Sequence, residues 1–289
     1  MTTKELLQKI RVIEIKTKGL TKHIFSGEYH ASFKGKGMAF SEVREYQIGD
    51  EVRTIDWNVT ARFNTPFVKV FEEERELTVM LVIDVSGSTD FGTTTKTKKD
   101  LILEIAAVLS FSAVANNDKV GAIFCTDRVE KYIAPAKGKK HALLILREII
   151  EFQPESKRTN LSEGMRFFRN VLKKRSIGIV ISDFLDPNAV EDGLKITGSK
   201  HDLLAIHIAD PADRELPNVG MVEFFNAETN QKTWVNTSSE KVRSQFSATA
   251  RQFEQQLQEL FKRTKMDHVS IDTTDDFILK LIQLFNSRK

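Results

Sequence analysis

The sequence has little cysteine and no long apolar run. Cys125 is the only cysteine among 289 residues, which excludes an internal disulfide and favours a reducing compartment. No stretch approaches the roughly 18 apolar residues that span a bilayer, and the first residues lack the apolar core of a signal peptide. We therefore expect a cytoplasmic protein without a transmembrane segment.

A strong charge of either sign is also missing. The chain has 43 lysine and arginine residues against 40 acidic residues, so its net charge is only +3. This imbalance is too small to indicate nucleic-acid binding on its own. The histidines form no HExxH motif and the phosphate-binding GxxxxGK[ST] motif is absent, so neither a zinc site nor a P-loop is expected.

What the chain does contain is an alternation of apolar strands and helices. Apolar runs rich in branched residues are typical of strands buried on both faces of a parallel sheet, and helical patterns lie between them. This alternation predicts an α/β domain over residues 77–289 with a mainly parallel sheet flanked by helices. The runs lie at residues 79–83, 120–124, 177–181 and 203–208.

Residues 1–76 have a different pattern, which predicts an N-terminal helix followed by a β-rich segment. Apolar residues spaced by three or four from Leu6 to Ile24 indicate an amphipathic helix, and residues 1–40 carry eight basic residues against three acidic ones. That helix either packs on the main domain with a solvated basic face or docks an acidic partner, a phosphate backbone or an anionic membrane. Glycines divide residues 26–76, which predicts turns and short strands.

Three further groups of residues carry weaker signals. In the β-rich segment we expect salt bridges around one core aromatic that anchor the segment onto the main domain, rather than catalysis. His201 and His207 are expected to be buried with backbone hydrogen bonds, and Asp210 ends a strand where it could line a crevice. The expected salt-bridge cluster comprises Arg44, Arg53, Asp56, Trp57 and Arg62.

The motif with the clearest chemistry follows the first buried strand, in the stretch LTVMLVIDVSGSTD. Asp84 ends the apolar run, and Ser86 and Ser88 follow at alternating positions with a glycine between them. Three oxygens grouped where a buried strand ends are suited to a hard cation, which prefers oxygen ligands.

Two more oxygens are expected in the same crevice. Open parallel sheets bind ligands beyond the carboxyl ends of their strands, where the strand order reverses. If the strands that end at Asp84 and Asp183 flank that reversal, their loops converge, and the Thr159 loop enters the same space. Water would complete a site for Mg²⁺, or for Mn²⁺ or Ca²⁺. The alternative is that Asp84 and Asp183 only cap helices while the serines line turns.

The pattern Asp84-x-Ser86-x-Ser88, then Thr159, then Asp183 resembles the metal-ion-dependent adhesion site (MIDAS) of von Willebrand factor A domains. The flanking stretches GKGMAFSEVREYQIGDEVRTIDWNVTARF and VKVFEEERELTVMLVIDVS resemble the bacterial family called domain of unknown function 58 (DUF58). The resemblance implies a Rossmann-like sheet with an antiparallel edge strand. It also implies a chaperone-like or complex-assembly role beside MoxR-like AAA+ ATPases, whose genes commonly neighbour those of the family.

Three functions remain open from the sequence. The first is a non-enzymatic, metal-dependent module for protein–protein interaction, in which a partner's Asp or Glu completes the metal. The second is a metal-dependent phosphohydrolase, although Ser86 stands where a phosphoaspartate mechanism usually has its second carboxylate. The third is nucleic-acid binding through the basic N-terminal helix, for which no reader motif is present.

Overall fold

The computed structural model describes residues 38–73, 77–93, 96–226 and 231–288. These residues divide into two units, one within residues 27–76 and the other from residue 77 onward. The predicted amphipathic helix of residues 6–24, with its basic face, lies outside the described residues.

The smaller unit is a two-stranded antiparallel sheet with a short helix between its strands. Strand β1 (Met38–Glu45) pairs with β2 (Phe67–Glu73), and helix α1 (Trp57–Phe63) lies between them in the chain. Asp56 begins α1 because its Oδ1 accepts hydrogen bonds from the backbone N–H groups of Asn58 and Val59 at 3.0 and 3.2 Å. The prediction of turns and short strands is confirmed for this segment.

The predicted salt-bridge cluster around Trp57 is wrong. Arg44 forms a two-pronged pair with Asp50 at 2.7 and 2.8 Å, while Asp56 contacts Lys69 at 3.5 Å. Trp57 is 67% exposed and is therefore not a core residue. Arg44 pairs with Asp50 because Asp50 lies in the turn directly after β1. Asp56 is instead engaged as the cap of α1.

The larger unit is built on a six-stranded sheet with the order β10-β7-β6-β3-β4-β5. All neighbours are parallel except β4 and β5, which pair antiparallel at the edge. The predicted fold class, a mainly parallel sheet flanked by helices with an antiparallel edge strand, is confirmed. The strands are β3 (Thr78–Asp84), β4 (Lys119–Cys125), β5 (Val129–Ala136), β6 (Ile177–Ser182), β7 (Asp202–Ala209) and β10 (Asp267–Asp272).

Helices cover both faces of this sheet. On one face α4, α5 and α6 pack with alternate residues of β3, β4, β6 and β7 in a single apolar cluster. On the opposite face α2 and α3 pack together against the sheet, and α7 contacts β10. The helices are α2 (Lys98–Ala115), α3 (Lys139–Glu151), α4 (Leu161–Val171), α5 (Pro187–Gly198), α6 (Glu240–Thr264) and α7 (Phe277–Asn286).

The central strands are as buried as their apolar runs predict. Every residue from Val79 to Ile83 is fully buried, since β3 has strands on both sides and helices on both faces. Strands β8 (Met221–Asn226) and β9 (Gln231–Asn236) form a separate antiparallel hairpin. Among the residues that the structure describes, no helix is both long and apolar enough to cross a membrane.

Close approach between α4 and β4 depends on Gly164. A methyl group at this position would overlap the Sγ atom of Cys125. We expect Gly164→Ala to destabilise the protein by about 1–3 kcal/mol, because a tightly packed core cannot absorb the added volume. Urea unfolding measures the difference.

The matched control is Gly198→Ala in α5, where the nearest atom would be Leu203 Cδ1 at an ordinary 3.8 Å. This change is expected to be neutral. The variant Cys125→Ala should remove most of the penalty of Gly164→Ala. Fully additive losses in the double variant would contradict the proposed overlap.

Candidate metal centre

The strand order reverses between β3 and β6. From β3 the chain crosses to β4 on one side, whereas β6 pairs with β3 on the other side. Their carboxyl ends, with Asp84 and Asp183, therefore lie next to each other at the crevice where open α/β sheets bind ligands. The strand order therefore reverses between the two strands that were predicted from the sequence, which end at Asp84 and Asp183.

Asp84 is held rigidly at the end of β3. Asp84 is only 1% exposed. Its Oδ1 accepts a hydrogen bond from the Ser86 backbone N–H at 2.9 Å, and its Oδ2 accepts one from Ser182 Oγ at 2.6 Å. Ser182 Oγ in turn accepts a hydrogen bond from the backbone N–H of Phe184 at 2.9 Å. The carboxylate of Asp84 is thus oriented from β6 as well as from its own loop.

The serines of the motif lie together, and the Thr159 loop adjoins them. Ser86 Oγ and Ser88 Oγ are 3.1 Å apart and share a hydrogen bond. The backbone N–H of Gly87 donates to the Lys157 carbonyl at 3.1 Å, which ties the motif to the loop that carries Thr159. Thr159 itself is half-buried.

Asp183 is buried as well, and its carboxylate is incompletely bonded. The residue is 3% exposed, and its Oδ1 has no hydrogen-bond partner among the described residues. Its Oδ2 is 3.4 Å from Lys98 Nζ, and Lys98 also contacts Asp213 at 2.9 Å. Asp183 therefore caps no helix here, so the alternative prediction for this residue is wrong. Asp84 caps no helix either, because it accepts from the Ser86 N–H within a turn and the short helix that follows has Ser86 as its N-cap.

Lys98 is the functional residue that the sequence analysis missed. It begins α2 directly after the capping residue Thr97 and is only 3% exposed. Burial lowers the pKa of Lys98, but the charges of Asp183 and Asp213 outweigh burial and raise the pKa above its usual value. Lys98 is thus a buried cation beside the carboxylates. A basic residue in a first helical turn gives no signal of this kind, because its acidic partners are 85 residues or more away in the chain.

Two carboxylates in one buried place repel each other. Burial, followed by the negative charge of Asp183, raises the pKa of Asp84 from 3.8 to about 6. In the described part of the chain no group of three or more histidine, cysteine or acidic side chains could hold a metal ion. A cation at this edge would therefore be held by the two carboxylates together with hydroxyl groups.

Other predicted crevice residues have different roles. Asp210 is fully buried and accepts hydrogen bonds from Thr93 and Thr273, so it ties loops together instead of lining the crevice. The predicted burial of the two histidines is confirmed, and the His201 backbone N–H bonds the Thr197 carbonyl, but no backbone partner is found for either ring among the described residues. His207 pairs with the Ser270 hydroxyl at 3.0 Å, and both ring nitrogens of His201 have no partner among the described residues.

Comparison with known proteins agrees with the sheet described above. A family model described as "Protein of unknown function DUF58" matches residues 42–256. The uncharacterized protein Rv1480 of Mycobacterium tuberculosis is 33% identical over 227 residues, which are 78% of this chain and 72% of that protein.

Two solved structures share the fold at 14% identity. An aerotolerance-related membrane protein from Bacteroides fragilis aligns with a TM-score of 0.52 over 73% of this chain and 99% of its own. The conserved hypothetical protein BatB from Bacteroides thetaiotaomicron aligns with a TM-score of 0.50 over 73% and 98%. At this identity the likeness concerns the fold alone.

The ion pair between Lys98 and Asp183 gives a testable prediction. We expect Lys98→Met to lower the free energy of unfolding by about 3 kcal/mol, because it leaves the buried carboxylate of Asp183 without a counter-charge. Chemical denaturation in EDTA measures this loss.

The control Lys140→Met, at an exposed position of α3, should change stability little. Adding Asp183→Asn to Lys98→Met should restore part of the lost stability, because the uncompensated charge is removed. If the double variant is less stable than Lys98→Met alone, the electrostatic explanation is wrong.

Proposed function

Since this chain belongs to the DUF58 family of proteins of unknown function, we propose that it is a non-enzymatic, metal-dependent module for protein–protein interaction. The fold supplies the place for such a site, but the function has to be argued from the residues at that place. The argument rests on the carboxyl edge of β3 and β6.

The observation that carries the proposal is the unpartnered Oδ1 of Asp183 beside the buried carboxylate of Asp84. A buried oxygen without a hydrogen bond costs about 1–3 kcal/mol, and a second buried carboxylate adds repulsion. Lys98 offsets only part of this charge, since it is shared with Asp213. A divalent cation would satisfy the free oxygen and neutralise both carboxylates.

The donor set fits Mg²⁺, with Mn²⁺ or Ca²⁺ as alternatives. All its groups offer oxygen, and Mg²⁺ characteristically keeps several waters beside one or two carboxylates. When bound, the ion would supply a Lewis-acidic centre with positions open to an outside ligand. We assign the cation to Asp84, Ser86, Ser88, Thr159 and Asp183.

A partner would complete this site with an acidic side chain. Hydroxyl ligands are neutral, and Lys98 already offsets part of the charge of Asp183, so the bound ion would keep some excess positive charge. A carboxylate from an Asp or Glu of another protein is the natural ligand for such an electron-poor cation. From the resemblance to the family we propose a MoxR-like AAA+ ATPase as this partner, in complex assembly or chaperone-like activity.

Binding of Mg²⁺ is the direct test. We expect isothermal titration calorimetry to detect Mg²⁺ binding to the native chain and not to Asp84→Asn, because the amide cannot replace the anionic ligand. The native chain should also retain a purified MoxR-like ATPase in Mg²⁺ and release it in EDTA.

The control Asp192→Asn removes one exposed acidic residue of α5 and should leave both kinds of binding unchanged. Equal Mg²⁺ affinities of the native chain and Asp84→Asn would contradict the metal site. Hydrolysis of phosphoesters in Mg²⁺ that disappears in Asp84→Asn would favour the phosphohydrolase instead.

The raised pKa of Asp84 predicts a pH dependence in the metal-free protein. Because the folded state favours the protonated acid, this contribution to stability is complete below pH 3.8 and is lost as the pH rises through about 6. Between about pH 5 and pH 8 the free energy of unfolding of the native chain in EDTA should therefore fall by about 1–3 kcal/mol. The free energy of unfolding of Asp84→Asn should not show this fall.

Urea unfolding of both proteins in EDTA across this range measures the difference. Added Mg²⁺ should stabilise the native chain more at about pH 8 than at about pH 5, because protons compete with the metal for Asp84. Parallel pH profiles of the native chain and Asp84→Asn would show that the Asp84 carboxyl does not carry this effect.

A further inference from the structure

A second cavity lies at the opposite edge of the sheet from Asp84. Its volume is about 320 Å³, within the range of small-molecule sites. The walls come from the C-terminal ends of α5 and α6 and from the first residues of β7 and β10. The cavity lies at the amino edge of the sheet, whereas Asp84 ends β3 at the carboxyl edge. The cavity therefore shares no residue with the candidate metal centre.

Basic side chains dominate the walls of this cavity. Two acidic residues, Asp202 and Asp267, also line it, but both bind Arg288, at 2.6 and 2.7 Å. One arginine thus engages both acids, and Glu191, which does not line the cavity, pairs with Lys195 and Arg263 at 2.6 and 3.3 Å. The five basic side chains still outnumber these three acids, which leaves an excess of positive charge. The basic lining residues are Arg175, Lys195, Arg263, Lys265 and Arg288.

His201 is the buried polar group of this cavity. It is 2% exposed, lines the cavity, and has no hydrogen-bond partner at either ring nitrogen among the described residues. Its ring packs against Phe168 with centroids 4.6 Å apart, and its backbone N–H donates to the Thr197 carbonyl at 2.9 Å. The side chain is therefore held in place by packing, although its polar atoms are unsatisfied.

The protonation state of His201 defines what a ligand must offer. Burial, and then the charge of Lys200, lowers the pKa of His201 to about 4, so the ring is neutral at physiological pH. A neutral imidazole donates through one nitrogen and accepts through the other. A fitting ligand therefore presents an acceptor and a hydroxyl donor together, in addition to negative charge for the basic walls.

We propose that this cavity binds a small-molecule phosphate monoester with a hydroxyl-bearing body, such as a sugar phosphate. Arginine and lysine side chains bind phosphate oxygens through charge-assisted hydrogen bonds, and arginine matches their geometry. The hydroxyl groups of the ligand satisfy the accepting nitrogen of His201, and its oxygens satisfy the donating one. This site goes beyond the proposed interaction function, since metal and phosphate occupy opposite edges of the sheet.

Calorimetric titration of the full chain in EDTA with ribose 5-phosphate is the test. Binding should weaken at least about tenfold in Arg263→Gln/Lys265→Gln, because two cations of the wall are lost. The matched control is Lys241→Gln/Arg251→Gln, which removes the same charge from exposed positions of α6 outside the cavity and should bind normally. Ribose without phosphate should not bind.

His201 provides a second, independent readout. His201→Leu should lower the affinity for ribose 5-phosphate and raise the melting temperature of the ligand-free protein, since it removes two unsatisfied buried nitrogens. His201→Gln keeps a donor and an acceptor and should retain most of the affinity. A purely structural histidine would not move stability and affinity in opposite directions.

Three results would overturn the proposal. The first is that neither ribose 5-phosphate nor inorganic phosphate binds at concentrations up to about 10 mM. The Kd would then be too high for a specific site of this kind. The second is an equal loss of affinity in the cavity variant and the α6 control, which would indicate net charge alone. The third is sulfate binding as tightly as ribose 5-phosphate, which would indicate an unspecific anion site.

Discussion

Two carboxylates buried side by side are the constraint on which the carboxyl edge of the sheet depends. Parallel pairing of β3 with β6 brings Asp84 and Asp183 to the same place, where burial and the charge of Asp183 both raise the pKa of Asp84. Local hydrogen bonds stabilise the carboxylate of Asp84, and the buried ammonium group of Lys98 lies next to Asp183. Among the described residues, one oxygen of Asp183 has no hydrogen-bond partner, which is the feature on which the proposed cation site rests.

The two edges of the sheet have opposite chemistry. The carboxyl edge gathers acids and hydroxyls, because strand ends converge there and loops of small polar residues follow them. At the amino edge, basic residues of α5 and α6 surround His201. A single sheet thus separates a candidate cation site from a candidate anion site.

Much of the carboxyl edge was predictable from local pattern. The apolar run that ends in Asp84, with Ser86 and Ser88 after it, indicates a buried strand followed by grouped oxygen atoms, and the structure has both features. Trp57 shows where composition misleads, because a large aromatic among charges is exposed on its short helix. Lys98 was missed because a lysine in a first helical turn usually faces solvent, and only the packing of α2 buries this one.

The sequence by itself determined which segments are buried strands, which helices cover them, and which small polar residues stand at strand ends. These properties follow from the hydrophobic periodicity and the residue types within a few positions of the chain. They can therefore be predicted without knowing which distant residues make contact. Tertiary structure alone decided that Lys98 meets Asp183 across 85 residues, and that Arg288 meets Asp202 across 86. Such contacts depend on strand order and helix packing, because residues far apart in the chain become neighbours only when the sheet is assembled.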